Sequence, residues 1–500
     1  MHNERGKKKN LYLCAMEKKT TIINADFVAS FFLPDGMIDW FEIVKIVEEP
    51  NTGTAPADVL YGSVLNIYLD ERDNRTEEEL GLKPNGFTEA TVVKDYPIRN
   101  RKVLLHVRRR RYIDADGRNV ILNQYPLTAE GTKVSVEFGF FLNTAMDTLP
   151  LTATSLARFF HIKGSELERY YKHHLSDYGT WEQKEHAADW VLLDQNLGEH
   201  CSIDETNLCN EVYTILSNKA GHGKKGTVVA VVKGTKADFV SSILKQIPQS
   251  EREKVTEITM DLSNSMYSIA KQCFPNATIV IDCFHVVQRL CEGLEEIRLK
   301  FKRLAATESK KEAAAFARNE DRKARQRALY RKKHPKNKKE HRGRKRIRKQ
   351  KYKPTLLSNG ETKVEMLTRS RNMLAQSGDK WGESKRERAK ILFGLYPQMS
   401  EAYSLICKVR AIFSMKISRE EAKERLHEWY KDVNACTLRE VKGARNAIKE
   451  KEEYVLNYFI NRSTNASAES LHSKIKGFRA QLHGVADIPF FLYRVCTIFG

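Results

Sequence analysis

The strongest constraint on the fold lies between Trp190 and Leu290, where five apolar segments of strand length are interspersed with two segments of helical period. Strands are expected at 201–204, 212–217, 227–232, 257–261 and 277–282, and helices at 236–246 and 265–273. Three strands come first in succession, and helices alternate with strands only afterwards. That order fits an α/β domain with a mixed sheet whose first three strands form a meander. It disfavours a wholly alternating dinucleotide fold, and no G-x-G-x-x-G is present to supply the phosphate turn of one.

The rest of the 500 residues exceeds what one core serves, so several domains are expected. Residues 1–90 are mixed and of unknown role, with an acidic patch (Asp70, Glu71, Asp73, Glu77, Glu78, Glu79) that suits a surface helix or loop. In 91–128, apolar runs at 103–107 and 120–125 flank Arg108, Arg109, Arg110, Arg111 and an Asp116-Gly117 dipeptide, which reads as a hairpin with a tight turn. Four arginines on a strand edge favour phosphate contact; an edge guarded against aggregation gives the same string. In 129–180 the spacing of Val134, Phe138, Phe141 and Ala145 predicts a helix, followed by two shorter ones at 152–160 and 165–174 around a turn at 161–164. This is the pattern of a helix-turn-helix, whose second helix enters a major groove. Residues 291–460 read as an all-helical insertion, and 461–500 as a closing helix and C-terminus.

Charge points to the partner. Lys and Arg number 85 against 64 Asp and Glu, a net +21, which argues for a polyanion, with nucleic acid first. The excess is concentrated: residues 331–351 hold 13 Lys or Arg against the single acid Glu340, a block that suits a clamp on phosphate. No run of about 18 apolar residues exists to span a membrane. The short apolar stretch behind the basic N-terminus is too brief for a signal-peptide core. Nine scattered cysteines with no C-x-x-C pair read as reduced thiols in a cytoplasm.

Three acids stand out. Asp204 and Asp261 end strand patterns, so each would project from a rigid base into the crevice where such sheets place ligands. Downstream, Leu471, Ile475, Phe478 and Leu482 form a helical stripe, while Glu469, His472 or Ser473, Lys476 and Arg479 share the opposite face. A carboxylate followed by cations suits a ligand for hard Mg²⁺ beside a phosphate track.

The segments Asp261-Leu-Ser-Asn-Ser-Met-Tyr, Phe274-Pro-Asn-Ala and Ile281-Asp282-Cys-Phe-His285-Val-Val resemble the DDE transposases of bacterial insertion sequences, in the family called ISL-three. Further agreements in order are Val93-Lys-Asp-Tyr-Pro-Ile-Arg, Arg109-Arg-Arg-Tyr112, the helix-turn-helix, Ser202-Ile-Asp-Glu205, Leu405 within Glu401-Ala-Tyr-Ser-Leu, and Thr464-Asn-x-x-x-Glu469 with Lys474-Ile-Lys476. The resemblance covers roughly residues 90–500. It implies an RNase H-like catalytic core (190–290) interrupted by the helical insertion and preceded by a hairpin and a helix-turn-helix domain. It implies Asp204, Asp261 and Glu469 as catalytic carboxylates holding two Mg²⁺ or Mn²⁺ ions, with Asp282 and His285 in support. Asp282 rivals Asp261 for the second metal position, and Asp194 is a weaker rival of Asp204. The implied activity is transposition: binding of terminal inverted repeats and target double-stranded DNA, strand cleavage and strand transfer, by a homo-oligomer on DNA at the bacterial nucleoid. The DNA-contacting residues expected are Arg108 to Arg111, Ser165, Arg169, Lys172, Arg344, Lys345, Arg346, Lys474, Lys476 and Arg479.

Two departures from the family pattern stand out. Residues 113–116 occupy the place of a cysteine pair, so no zinc is expected there. Ser470 and His472 stand where glycine and asparagine are common. The competing classes are a catalytically inactive, sequence-specific DNA-binding protein derived from a transposase and a stand-alone RNase H-type nuclease.

Overall fold

Residues 25–54, 58–334 and 350–500 are described by a computed structural model and divide into two units, Met1–Ala188 with Lys474–Ile498, and Asp189–Ser473 with Phe499–Gly500. The first unit carries strands β1 (Phe41–Pro50), β2 (Ser63–Glu71), β3 (Lys83–Phe87), β4 (Thr91–Ile98), β5 (Arg101–Arg108), β6 (Arg110–Ile113) and β7 (Asn119–Val120). One sheet has the order β1-β2-β5-β4, with β2 and β5 parallel and the outer pairs antiparallel. Alternate residues of β5, Val103, Leu105 and Val107, are fully buried in a cluster with Phe41, Ile67, Leu69 and Val93, as period-two alternation requires of one covered face.

That sheet runs across residue 90, so the boundary expected there is corrected, and so is the pairing of 103–107 with 120–125. A two-stranded ribbon cannot bury three such side chains, whereas strands on both sides can. The Asp116-Gly117 turn does close a hairpin, one strand later: β6 pairs with β7, Tyr112 opposite Val120. Gly117 takes φ 79°, and the Asp114 carboxylate accepts from the backbone N–H of Asp116 and Arg118. Asp70 and Glu71 lie in β2 and are buried, in contrast to the surface helix or loop expected; Glu77–Glu79 do form a short 3-10 turn.

Beyond the sheets, helix Val136–Thr148 is capped by Ser135, whose Oγ accepts from Phe138 N and donates to Asp95. Its buried stripe is Phe138, Leu142, Ala145 and Met146; Phe141, expected inside, is 38% exposed. Two short helices follow, Ala153–Ala157 and Gly164–Tyr170, the second continuing as one π turn, Tyr171–Leu175. They meet at Gly164, where an added Cβ would lie 2.9 Å from Thr154 Cα. Backbone cannot yield cheaply, so Gly164→Ala is expected to destabilise this unit by about 1–3 kcal/mol, read as a lower urea midpoint at unchanged slope. The closing helix Ile488–Phe499 packs Phe490 and Tyr493 against Tyr178, with ring centroids 5.0 and 5.3 Å away.

The second unit holds β8 (Trp190–Leu192), β9 (His200–Leu208), β10 (Glu211–Asn218), β11 (Val228–Lys233), β12 (Glu257–Met260) and β13 (Thr278–Ile281) in the order β13-β12-β9-β10-β11-β8. As the sequence led one to expect, β9, β10 and β11 form an antiparallel meander, and β12 and β13 add to β9 in parallel. Edge strand β8 was not foreseen. Helices Ala237–Leu244 and Asn264–Cys273 make the connections. Helix Cys283–Lys333 then runs for 51 residues, about 76 Å at 1.5 Å per residue. Its buried side chains end at Ala305. Helices from Lys363–Arg369 to Tyr458–Asn461 complete an all-helical segment whose core includes Leu392, Ile406, Trp429 and Ile448. Among the described residues no helix is long and apolar enough to cross a membrane.

Candidate active site

The parallel strands set the acids in a row. Thr259 of β12 lies opposite Ser202 of β9, and Met260 opposite Ile281 of β13. Carrying that register forward brings Asp261 beside Asp204 on one side and beside Asp282 on the other. Residues in register on neighbouring parallel strands face the same way, at spacings of about 4.8 Å. Asp282 N donating to Met260 O at 2.9 Å continues the ladder to this row. β9 runs on to Leu208 against β10, so Asp204 lies within its strand and not at its end as expected, at the point where β9 outruns β12.

Asp204 Oδ1 accepts from Glu205 N at 2.8 Å, and Oδ2 lies 3.3 Å from His472 Nδ1. Asp261 Oδ1 accepts from Ser263 N at 2.8 Å. Burial pushes the Asp261 carboxyl up and Asp204 adds to that, outweighing the opposing Ser263 N–H, His285 and Lys451. Glu205 is also raised, first by burial and then by Asp261 and Asp204. The acids thus crowd one another, as they must wherever a counter-charge is to bind. Asp282 is only 2% exposed, and each of its oxygens takes a backbone N–H, Oδ1 from Phe284 and Oδ2 from Asn465, both at 3.0 Å.

Helix Ala466–Gln481 brings in the remaining carboxylate. Glu469 is exposed, while Leu471, Ile475 and Phe478 are buried, matching the expected stripe. Ser473 holds the polar face; His472 turns inward, 5% exposed, onto Asp204. Ligand atoms of Asp282, His285 and Glu469 all lie within 4.8 Å of one another, the one such group of three among the described residues. Asp204 and Asp261 are not members of it. Asp194 lies in an exposed turn after β8, and β8 is three strand spacings from β9, roughly 14 Å, which removes it as a rival of Asp204.

The basic residues separate by environment. Arg108 is bidentate to Asp70 at 2.7 and 2.6 Å, Arg109 pairs with Glu71 at 3.1 Å and reaches Tyr125 O, and Arg110 donates its N and Nε to Glu71. Arg108 and Arg110 also cover the Phe87 ring. Buried acids on β2 pair with these side chains: Arg109 is drawn inward, whereas Arg108 keeps 46% of its side chain exposed, and Arg111 has its Nε buried. Ser165 and Arg169 are exposed, as are Lys474 and Lys476. Lys172 pairs with Asp487 at 2.6 Å, and Arg479 is half-buried. Arg344, Lys345 and Arg346 lie outside the described residues.

Sequence reasoning missed Lys451. It is 7% exposed, donates to Leu262 O at 2.7 Å and sits close enough to Asp261 to feel its charge. Burial holds its ammonium below the usual lysine range despite Glu450 and Asp261. Nothing local marks a lysine 190 residues downstream as a neighbour of Asp261 (451 − 261).

A mixed sheet that lines up carboxylates where its parallel strands end, with one more delivered by a late helix, defines an α/β protein with an acidic centre of hard oxygen donors. The chain belongs to the ISL-three family of DDE transposases: the family model, described as a transposase, matches residues 201–495. The match takes in Asp204, Asp261, Asp282, His285 and Glu469. No curated protein matches the chain.

Proposed function

We propose that the protein binds the terminal inverted repeats of a bacterial insertion sequence, then cleaves and joins DNA strands at Asp204, Asp261 and Glu469. The observation that carries this reading is the register of β9 and β12, which sets two crowded aspartates side by side within the family's matched segment. A meander followed by two parallel strands supports an RNase H-like core. The donor set fits divalent ions: hard carboxylate oxygens, with the buried Nε2 atoms of His285 and His472 lacking partners among the described residues. Asp204, Asp261 and Glu469 would hold two Mg²⁺ or Mn²⁺ ions, which when bound stabilise the attacking and leaving oxygens of a phosphodiester. Asp204 stands beside Asp261 in the register of β9 and β12. His472 orients it through Nδ1, and Lys451 steadies the Leu262 carbonyl beside Asp261. Helices Ala153–Ala157 and Gly164–Tyr170 act as the helix-turn-helix, with Ser165 and Arg169 presented to DNA. The block at 331–351 neutralises phosphate, and the protein works as a homo-oligomer on nucleoid DNA in the cytoplasm.

A second reading, an inactive DNA-binding descendant, is favoured by His472, which occupies Asp204 Oδ2 where family members commonly carry asparagine. An assay on duplexes bearing the repeats that flank the coding region separates the two. Cleavage and joining in Mg²⁺ or Mn²⁺, abolished by chelation, are expected of the wild type. His472→Ala should raise the metal concentration for half-maximal cleavage by about 10–100-fold, the usual cost of losing a group that orients a ligand. An inert wild type that binds the repeats, together with cleavage gained by His472→Asn, would establish the second reading instead.

A further inference from the structure

The helical insertion departs from the sheet at Asp282 and must return so that Glu469 lands beside the strand ends. We propose that Glu257 and Asp282 are positioning residues that clasp the returning chain and thereby deliver Glu469, an inference that rests on reading Glu469 as a metal ligand.

The contacts follow the returning segment in order. Asn457 Nδ2 donates to Ile279 O of β13 at 2.8 Å. The Asn461 amide donates to Glu257 Oε2, and Ser463 Oγ donates to Glu257 Oε1 at 2.5 Å. Lys219 Nζ lies 3.2 Å from that same Oε1. Asn465 N then donates to Asp282 Oδ2, and Asn465 O accepts from Glu469 N at 2.9 Å, closing the first turn of the helix that carries the glutamate. Between these grips Arg462 takes φ 59°, a left-handed residue at the turn, and its guanidinium donates to Phe413 O and Met415 O.

Both carboxylates are almost fully buried, Glu257 at 4% and Asp282 at 2% exposure. Burying an ionised carboxylate is costly unless its oxygens are satisfied, and here donors from the returning segment satisfy both. Burial pushes Glu257 up, but Ser463, Asn461 and Lys219 outweigh it and keep the group ionised. Glu257 opens β12, four residues before Asp261, which follows the strand's end, about 13 Å away at 3.3 Å per residue. It is too far to touch an ion at the acids, so any effect it has on metal must pass through the chain it holds. Asp282 holds the N-terminus of helix Cys283–Lys333 with one oxygen and Asn465 with the other. One side chain therefore fixes both the exit and the re-entry of the insertion.

The test is Mn²⁺ binding to the full-length protein, followed by the electron paramagnetic resonance of the free ion, below the melting temperature of every variant. Glu469→Gln is the control for the underlying reading and should weaken binding by about 10–100-fold; unchanged binding there would remove Glu469 as a ligand, whatever the clasp does. With that control weakened, Glu257→Gln and Asp282→Asn should each weaken binding by about tenfold while the far-ultraviolet circular dichroism stays that of the wild type. A folded Glu257→Gln protein with wild-type Mn²⁺ affinity would overturn the clasp. Should these variants fail to fold, Asn461→Ala with Ser463→Ala removes the grips from the other side, and wild-type affinity in that double variant would overturn it equally.

Discussion

Asp204→Asn, Asp261→Asn and Glu469→Gln are each expected to lower metal-dependent DNA cleavage by about 10³-fold or more, while affinity for repeat DNA stays within about threefold of wild type. These substitutions keep shape and remove charge, so chemistry should suffer and binding should not. The register that aligns Asp261 with both Asp204 and Asp282 makes the comparison with Asp282→Asn informative. Asp282 already accepts two backbone N–H groups, so its loss should act by displacing Glu469. Raising Mn²⁺ should restore much of the activity of Asp282→Asn and little of that of Asp261→Asn. The opposite pattern would make Asp282 the second ligand. Loss of DNA binding in all of them would indicate a structural role for the acids.

Arg494→Leu is expected to destabilise the first unit by about 3 kcal/mol. Arg494 is 3% exposed, and its guanidinium donates to Met146 O at 2.7 Å and Leu151 O at 3.1 Å, with Leu149 O at 3.5 Å. These carbonyls lie where helix Val136–Thr148 ends; Leu149 O also accepts from Leu151 N, but leucine at 494 would take the Arg494 donor from Met146 O and Leu151 O. The same group lies 5.0 Å over the Tyr171 ring and 5.2 Å over that of Phe478. Lysine should rescue only in part: the three carbonyls are all reached from one nitrogen, Nη2, which an ammonium could replace, but the planar contact with the Tyr171 and Phe478 rings would be lost. Unfolding of the full chain, followed by tryptophan fluorescence and circular dichroism, should show the earlier transition moved down and the later one unmoved. Repeat-DNA binding should fail with that first transition, since Gly164–Tyr170 shares the core that Tyr493 completes. A single unshifted transition would mean that the closing helix does not hold this unit together.

The same packing explains why the domain limits could not be read from order along the chain. Residues 461–500 looked like one closing element, yet Lys474–Ile498 belong with the first unit, because Phe490, Tyr493 and Arg494 find partners among residues 146–181. Likewise 103–107 read correctly as a strand, but period two says nothing about which strand lies beside it, and β2 and β4 proved to be the neighbours.

Sequence by itself determined the strands at the centre, their meander-then-parallel order and the helical segment after them, because each is written in local period, and it singled out Asp204, Asp261 and Glu469 as candidates through short motifs. Tertiary structure alone decided what those acids face. Which side chain meets Asp204, that Asp282 Oδ2 takes the backbone N–H of Asn465, and that Glu71 and Asp70 pair with Arg109 and Arg108 all depend on contacts between residues 38 to 268 positions apart (108 − 70; 472 − 204). A buried charge takes whatever partner the packing brings within reach, and the pattern of neighbours along the chain carries no record of that choice.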